Sequence, residues 1–490
     1  MPRLSDYIVT GLLLLSALYV WRRRAALARN PRGLPLPPGP RGLPVIKNLL
    51  QWPQGNAWRR FSEWRKVYGD VFHLEMMGQH VIVLNTLEAT HDTLEQSKYA
   101  DRPAFTMAGE LMGFSDCTIL APYGEYWKFL RRLTHQAISK TAASRYWLYH
   151  EKDARIYVRH LLEHPTEYRE ALRYLTNKNI LKTSYGLEID RPDHEYITLS
   201  EITHHDLSHA LIPGSFLVDI VPFLKHIPSW LPGAGFQNHA ARSRVRAWKM
   251  ADRPYLEVKK AFESGVAPPS FVSTLLEQEK DTTYDADKWA SFSSMSTFFL
   301  AMAMFPEVQK KAQEEIDRVV GTDRLPALTD RDSMPYMEAL VKETIRWHPP
   351  LPTGLAHRSM EDQYYNDYYI PKDAVVMPNV WEMAHDPENY PDPKNFKPER
   401  YLGTEQGLDP YSFCFGFGRR NCPGVHYATS ILYIVMTSVL AAFDISVEDG
   451  VKLEYSEDLF SPKFISYAEA FPCRITPRSS TLSDVLQQYE

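Results

Sequence analysis

The chain of 490 residues is poor in several features whose absence is informative. It carries four cysteines, Cys117, Cys414, Cys422 and Cys473. These are too few and too scattered for a disulfide framework in a chain this long, which points to a reducing compartment. No Asn-x-Ser/Thr acceptor occurs, in keeping with a body that never enters the secretory lumen. An excess of one charge is also missing: 55 basic against 60 acidic side chains give a formal net charge of -5, so no global field attracts nucleic acid. Internal repeats and low-complexity tracts are absent. What remains is 44% hydrophobic and 12% aromatic, enough to bury a large core in one large domain or two.

One long uncharged run opens the chain. Tyr7 to Trp21 reads YIVTGLLLLSALYVW and is followed at once by Arg22, Arg23 and Arg24. A helix needs about 20 residues to cross the hydrocarbon, so the run spans only with Tyr7, Tyr19 and Trp21 in the interfaces and the arginines snorkelling. A cleaved signal peptide places its positive charge before the run and small residues after it. Here the charge follows. The expectation is an uncleaved single-pass anchor over residues 1–24, with the chain beyond it on the cytoplasmic side. A basic, proline-rich hinge over 25–45 comes next, with Pro35, Pro37, Pro38, Pro40 and Pro44 stiffening it as a spacer. Residues 46–490 read as the folded body.

That body is mainly helical in pattern with short strand-like pieces, an α+β class with small sheets. His73 to Asn85 reads as a hairpin around Gly78. Pro306 to Val320 reads as a helix opened by its proline, with Val308, Ala312, Ile316 and Val319 on one face and Gly321 stopping it. Ser333 to His348 reads as another, ending before Pro349-Pro350. Pro349 to Leu402 turns irregular. Val425 to Phe443 is apolar on nearly all sides and should be a buried helix.

Directly before that helix stands FCFGFGRRNCPGVHYA. It places Cys422 in a glycine-rich loop that feeds a helix N-terminus, where free N–H groups and the helix dipole favour a thiolate. Gly416, Gly418 and Gly424 let the backbone turn tightly and approach a flat ligand. A lone cysteine is more often a small buried hydrophobe; the residues around this one argue otherwise.

The stretch resembles the haem-binding signature of the cytochrome P450 family, F-x-x-G-x-R-x-C-x-G, with Phe415, Gly418, Arg420, Cys422 and Gly424 at all five fixed positions. The resemblance implies a mainly α haem-thiolate fold, haem b held by Cys422 as the axial metal ligand, Phe415 near the sulfur and Arg420 at a haem propionate. Further matches keep the family's order. Glu343 and Arg346 in ALVKETIRWHPP resemble its E-x-x-R pair, and Arg400 in FKPERY its third partner, a scaffold behind the cysteine loop. By spacing alone, Glu343 and Arg346 could equally be an exposed pair on a helix. Trp127 and Arg131 in WKFLR resemble a propionate clamp on an early helix, and His357 in LAHRS occupies a position where the family often has another propionate donor. The flanking sequence is similar to eukaryotic microsomal members, with a fungal flavour.

One family feature is missing. The distal helix normally carries A/G-G-x-D/E-T, whose acid and alcohol deliver protons over the haem. The corresponding region reads DADKWASFSSMSTFFLAMAMFPEVQ. Aligned back from Ser296 without a gap, the threonine position falls on Ala290 and the acid on Trp289; aligned from KWAS, roughly three turns of helix are missing. Asp281 to Thr283 supply a DTT between charged residues, which reads as a loop or cap. Ser291, Ser293 and Ser294 are the remaining hydroxyl candidates, although a helical serine usually bonds its own backbone.

The resemblance therefore implies a monooxygenase of the endoplasmic reticulum membrane. It would insert one oxygen atom from O2 into a hydrophobic small molecule, a secondary metabolite or a steroid-like or polycyclic compound, with electrons from NADPH through NADPH-cytochrome P450 reductase. Lys128, Arg132 and Arg419 could meet that partner, although each taken singly reads first as ordinary solvated surface. Two alternatives follow from the missing relay: a haem-thiolate isomerase or dehydratase working on peroxides without a reductase, or an impaired haem-binding chain. Candidate substrate walls are the loop from Phe105 to Thr118 and the C-terminal turn at Phe464 and Ile465.

Overall fold

The computed structural model describes residues 28–53, 55–277, 289–404 and 406–489. The expected anchor and the DTT at Asp281 to Thr283 lie outside them. In the described part, the proline-rich stretch is docked on the body: the carbonyls of Pro35 and Pro38 accept from the Tyr369 and His73 amides, each at 2.8 Å.

The expected hairpin pairs Val71–Met76 with Gln79–Leu84. Its two-residue turn, Met77 and Gly78, has positive φ at both positions (50° and 95°), the twist that a tight hairpin needs. Val375–Pro378 adds in parallel to the second strand and His357–Arg358 adds antiparallel beyond it. This sheet brings His357, from the stretch expected to be irregular, beside the chain at Asp101 through an isolated bridge to Arg358. That stretch also forms the small pair Gln363–Tyr365 and Tyr368–Ile370.

The helical part is built around Val425–Ala442, within one residue of its expected span. It has the length and hydropathy of a membrane helix, yet 78% of it is buried in the protein. Helices Trp147–Glu163, Trp289–Met304, Pro306–Val319 and Pro335–Trp347 pack around it. The last begins two residues later than Ser333 because Pro335, which has no N–H to lose, sits at its first position. The free amides of Tyr336 and Met337 are capped by the Glu315 carboxylate at 3.1 and 2.9 Å. A second apolar cluster joins the segment Thr106–Leu111 to helices Glu195–Ala210 and Gly235–Glu263.

Candidate functional site

The loop before the central helix is closed by its own backbone, the Cys422 amide donating to the Phe415 carbonyl at 2.6 Å. Gly416 and Gly418 hold φ of +83° and +52°. A Cβ on Gly418 would lie 2.5 Å from the Leu94 carbonyl oxygen, so both the turn and the close approach demand glycine. At Gly424 a Cβ would sit in ordinary contact with the Cys422 sulfur at 3.8 Å but tightly, at 3.3 Å, against the end of the Ile138 side chain. Cys422 is exposed. The Phe415 ring meets Tyr411 edge-on at 5.5 Å.

Basic side chains converge above this loop. Arg420 donates to the carbonyls of Ala100 and Ala121 at 2.6 and 2.8 Å, and its guanidinium lies over the Trp127 ring, 4.4 Å from the centroid. Trp127 and Arg131 stand on helix Glu125–Ile138. Arg131 binds the loop itself, through the Asn421 carbonyl at 2.6 Å and the Asn421 side-chain oxygen. His357 is buried and hydrogen-bonded to the Tyr99 carbonyl at 2.7 Å. A carbonyl can only accept, so Nδ1 carries the proton and the neutral ring presents Nε2 as an acceptor. Donation from His357 to an anion therefore requires the charged imidazolium, which burial first and Arg102 and Arg420 next hold well below its ordinary pKa.

Arg102 is a member of this group that the sequence reading missed. It is buried and donates to the carbonyls of Ile119, Leu355 and Ala356 at 3.2, 2.8 and 2.9 Å. Burial and the nearby Arg420 push its pKa well down, and burial brings Arg420 down to about 10, with Asp101 opposing and Arg131 adding. The nearby carboxylate, Asp101, is already paired with Arg358. Three guanidiniums in a low-dielectric setting with one engaged acid form a site that favours an anion. No spacing rule marks Arg102, an arginine between an acid and a proline.

Behind the loop, Glu343 and Arg346 are fully buried. Arg346 binds both carboxylate oxygens of Glu343 at 2.7 and 2.8 Å and the carbonyls of Ala384 and Pro393 at 2.7 and 2.9 Å. Glu343 also accepts from the Lys397 amide at 2.8 Å, from Arg400 at 3.4 Å and from the Tyr401 hydroxyl at 3.3 Å. Arg400 reaches the Pro391 and Asp392 carbonyls at 2.5 and 2.8 Å. This is a bidentate pair with its remaining valences filled, the arrangement in which buried charge is tolerated.

On the opposite side, helix Trp289–Met304 carries the serine candidates. Ser293 is buried and donates to the Ser466 carbonyl, Ser294 is buried, and Ser291 is half-buried. Of the two expected substrate walls, Phe105, Leu111 and Cys117 from one and Phe464 from the other border one buried cluster around Met107, Met112, Phe114 and Leu211. Phe105 holds a φ of +40°, strained for so bulky a residue and placed at the edge of that cluster.

A loop that offers a thiol beside a cationic, anion-seeking cluster, in front of a helical body braced by a buried Glu–Arg pair, defines a haem-thiolate type of protein. Residues 37–466 match the family Cytochrome P450. Among curated proteins, the chain is 38% identical over 502 residues to Cytochrome P450 monooxygenase 208 of Postia placenta, covering 98% of this chain and 97% of that relative. It is 39% identical over 475 residues to Cytochrome P450 monooxygenase claR of Ampulloclitocybe clavipes, covering 92% and 88%. A relative from Gibberella zeae, Cytochrome P450 monooxygenase CLM2, is 35% identical over 485 residues. The chain belongs to the cytochrome P450 family, and with it to the haem-thiolate oxidoreductases.

Proposed function

We propose that the protein is a membrane-anchored monooxygenase that oxidises an apolar small molecule at a haem held by Cys422. The carrying observation is the convergence of an exposed cysteine with Arg102, Arg131 and Arg420. That donor set fits haem: a soft thiolate suits iron, and the surplus of guanidinium charge suits two propionates. Bound haem supplies the redox and oxygen chemistry. Arg102, Arg131 and Arg420 would hold its carboxylates, and Trp127 stiffens Arg420 by stacking under it. His357 would join them once an adjacent carboxylate raises its pKa enough to protonate Nε2. Phe105, Leu111 and Phe464 would orient the substrate and keep water out.

Two further elements support the rest of the reading. Lys128, Arg132 and Arg419 are exposed on the cysteine-loop side, where an acidic reductase carrying electrons from NADPH would dock. Val45, Leu50, Phe223 and Trp230 are 80%, 73%, 74% and 79% exposed. They sit on the two segments joined where Trp52 packs on Gly214. This apolar surface suits a lipid interface beside an N-terminal anchor in the endoplasmic reticulum.

The test is reconstitution of the full chain with haem, an NADPH-dependent cytochrome P450 reductase and phospholipid, offered a panel of apolar aromatic probes under labelled O2. Incorporation of one labelled oxygen that depends on NADPH is expected. Rearrangement of an organic hydroperoxide without NADPH, and no oxygen insertion with it, would instead assign the isomerase or dehydratase reading. Haem binding with neither activity would assign the impaired one, which the missing acid and alcohol favour.

A further inference from the structure

Ser466 is fully buried and is hydrogen-bonded through every polar atom it has. Its amide donates to the Pro350 carbonyl at 2.9 Å, its carbonyl accepts from the Ser293 hydroxyl of the distal helix, and its hydroxyl donates to the Ser461 carbonyl at 2.7 Å. The same hydroxyl oxygen lies 2.7 Å from His348 Nε2. Because its proton is committed to Ser461, His348 must donate from Nε2. The ring is therefore neutral with a bare Nδ1, which has no partner and, as an acceptor, costs less unpaired than a buried N–H would. His348 is held in place by stacking on Phe460, 3.7 Å between centroids. Ser461 and Tyr467 close the neck of the turn, amide to carbonyl at 2.9 Å and Tyr467 amide to Ser461 hydroxyl at 3.2 Å. Between them lie Phe464 and Ile465, both half-buried.

We propose that Ser466 is a positioning residue that sets substrate specificity. With Ser293 and His348 it fixes the turn so that Phe464 packs on the same buried cluster that Phe105 and Leu111 border. This rests on the pocket described above. In this chain the distal helix contributes a bracing hydroxyl to the turn at Ser293, in the stretch where the family has its proton relay one turn earlier. Ser296 is the internal control: it is buried on the same helix but bonds its own Phe292 carbonyl at 2.9 Å.

The experiment compares Ser466→Ala, Ser293→Ala and Ser296→Ala in the full chain by two readouts. The first is optical titration of the haem-loaded protein with imidazole, which needs little space, and with 4-phenylimidazole, which must fit against the pocket wall. The affinity ratio of the two should change by about tenfold, the scale of one buried hydrogen bond, in Ser466→Ala and Ser293→Ala, and stay within about twofold in Ser296→Ala. The second is amide hydrogen exchange over residues 461–467, which should accelerate in the first two variants alone. An unchanged affinity ratio, or equal acceleration in Ser296→Ala, would overturn the proposal. If the wild type takes up no haem, the functional reading falls, and exchange alone decides whether Ser466 pins the turn.

Discussion

The two faces of the central helix differ in how completely they are built. On the cysteine-loop side, the charged residues are partnered: Glu343 and Arg346 satisfy one another without solvent, and Arg420 and Arg131 are bonded to the chain around the loop. On the distal side, the sequence holds no A/G-G-x-D/E-T, and one of the three serines that could stand in, Ser293, is committed to the C-terminal turn. The difference separates two requirements. Holding a haem depends on a scaffold of charges and turns that is whole here; processing oxygen depends on a proton path whose usual groups are missing.

The comparison breaks most readily at Glu343. Glu343→Ala leaves the Arg346 guanidinium buried and unpaired, at a cost of about 3–5 kcal/mol. Urea unfolding should register that loss, together with loss of retained haem. A change below about 1 kcal/mol would mean that the cysteine-loop side is not braced as described.

Acid should act on all parts of the fold through neutral buried histidines. Burial lowers His150 to about 3, lowers His348 to about 3 with Arg59 adding, and lowers His73 to about 4 with His80 and Lys47 adding. Unfolded, each takes up a proton near pH 6.5. Their contribution is therefore complete above pH 6.5 and falls as the pH drops towards the folded values, by up to about 1.4 kcal/mol per pH unit for each group. His150 has no hydrogen-bond partner on either nitrogen and meets the Tyr427 ring edge-on at 4.7 Å. His150→Phe should be neutral or stabilising at pH 7 and should remove one proton from the acid slope, read as Tm against pH between 7 and 5. An unaltered slope would show that His150 is not held neutral.

The smallest effects sharpen the distal side. Ser291→Ala and Ser294→Ala should alter the ratio of product formed to NADPH consumed by less than about twofold, since neither side chain is paired with an acid among the described residues. A tenfold fall at either would identify a serine that has taken over proton delivery.

Much of the first face was legible in the sequence. Cys422 and its glycines are local in the chain, so a contiguous stretch resembling the family signature located them, and the 3.6-residue period put Glu343 and Arg346 on one face. What the period could not give was their burial, which comes from Lys397, Arg400 and Tyr401 folding back from more than fifty residues away. His357 was recognisable only by position; its bond to Tyr99, which decides the tautomer, spans 258 residues. Arg102 and Ser466 carry no pattern at all, because their partners come from distant loop carbonyls and turns. Missing elements were also readable: the absence of the relay is a fact of the sequence, and the structure adds where one of the substitutes is spent.

The central claim is that Cys422 holds a haem as its thiolate ligand, and the reduced, carbon-monoxide difference spectrum of the haem-loaded chain tests it most directly. The account predicts a Soret band at the thiolate-ligand position in the wild type and its loss in Cys422→Ala, with the folded far-ultraviolet circular dichroism of the chain retained. A folded wild-type protein without that band, or a Cys422→Ala variant that keeps it, would contradict the account.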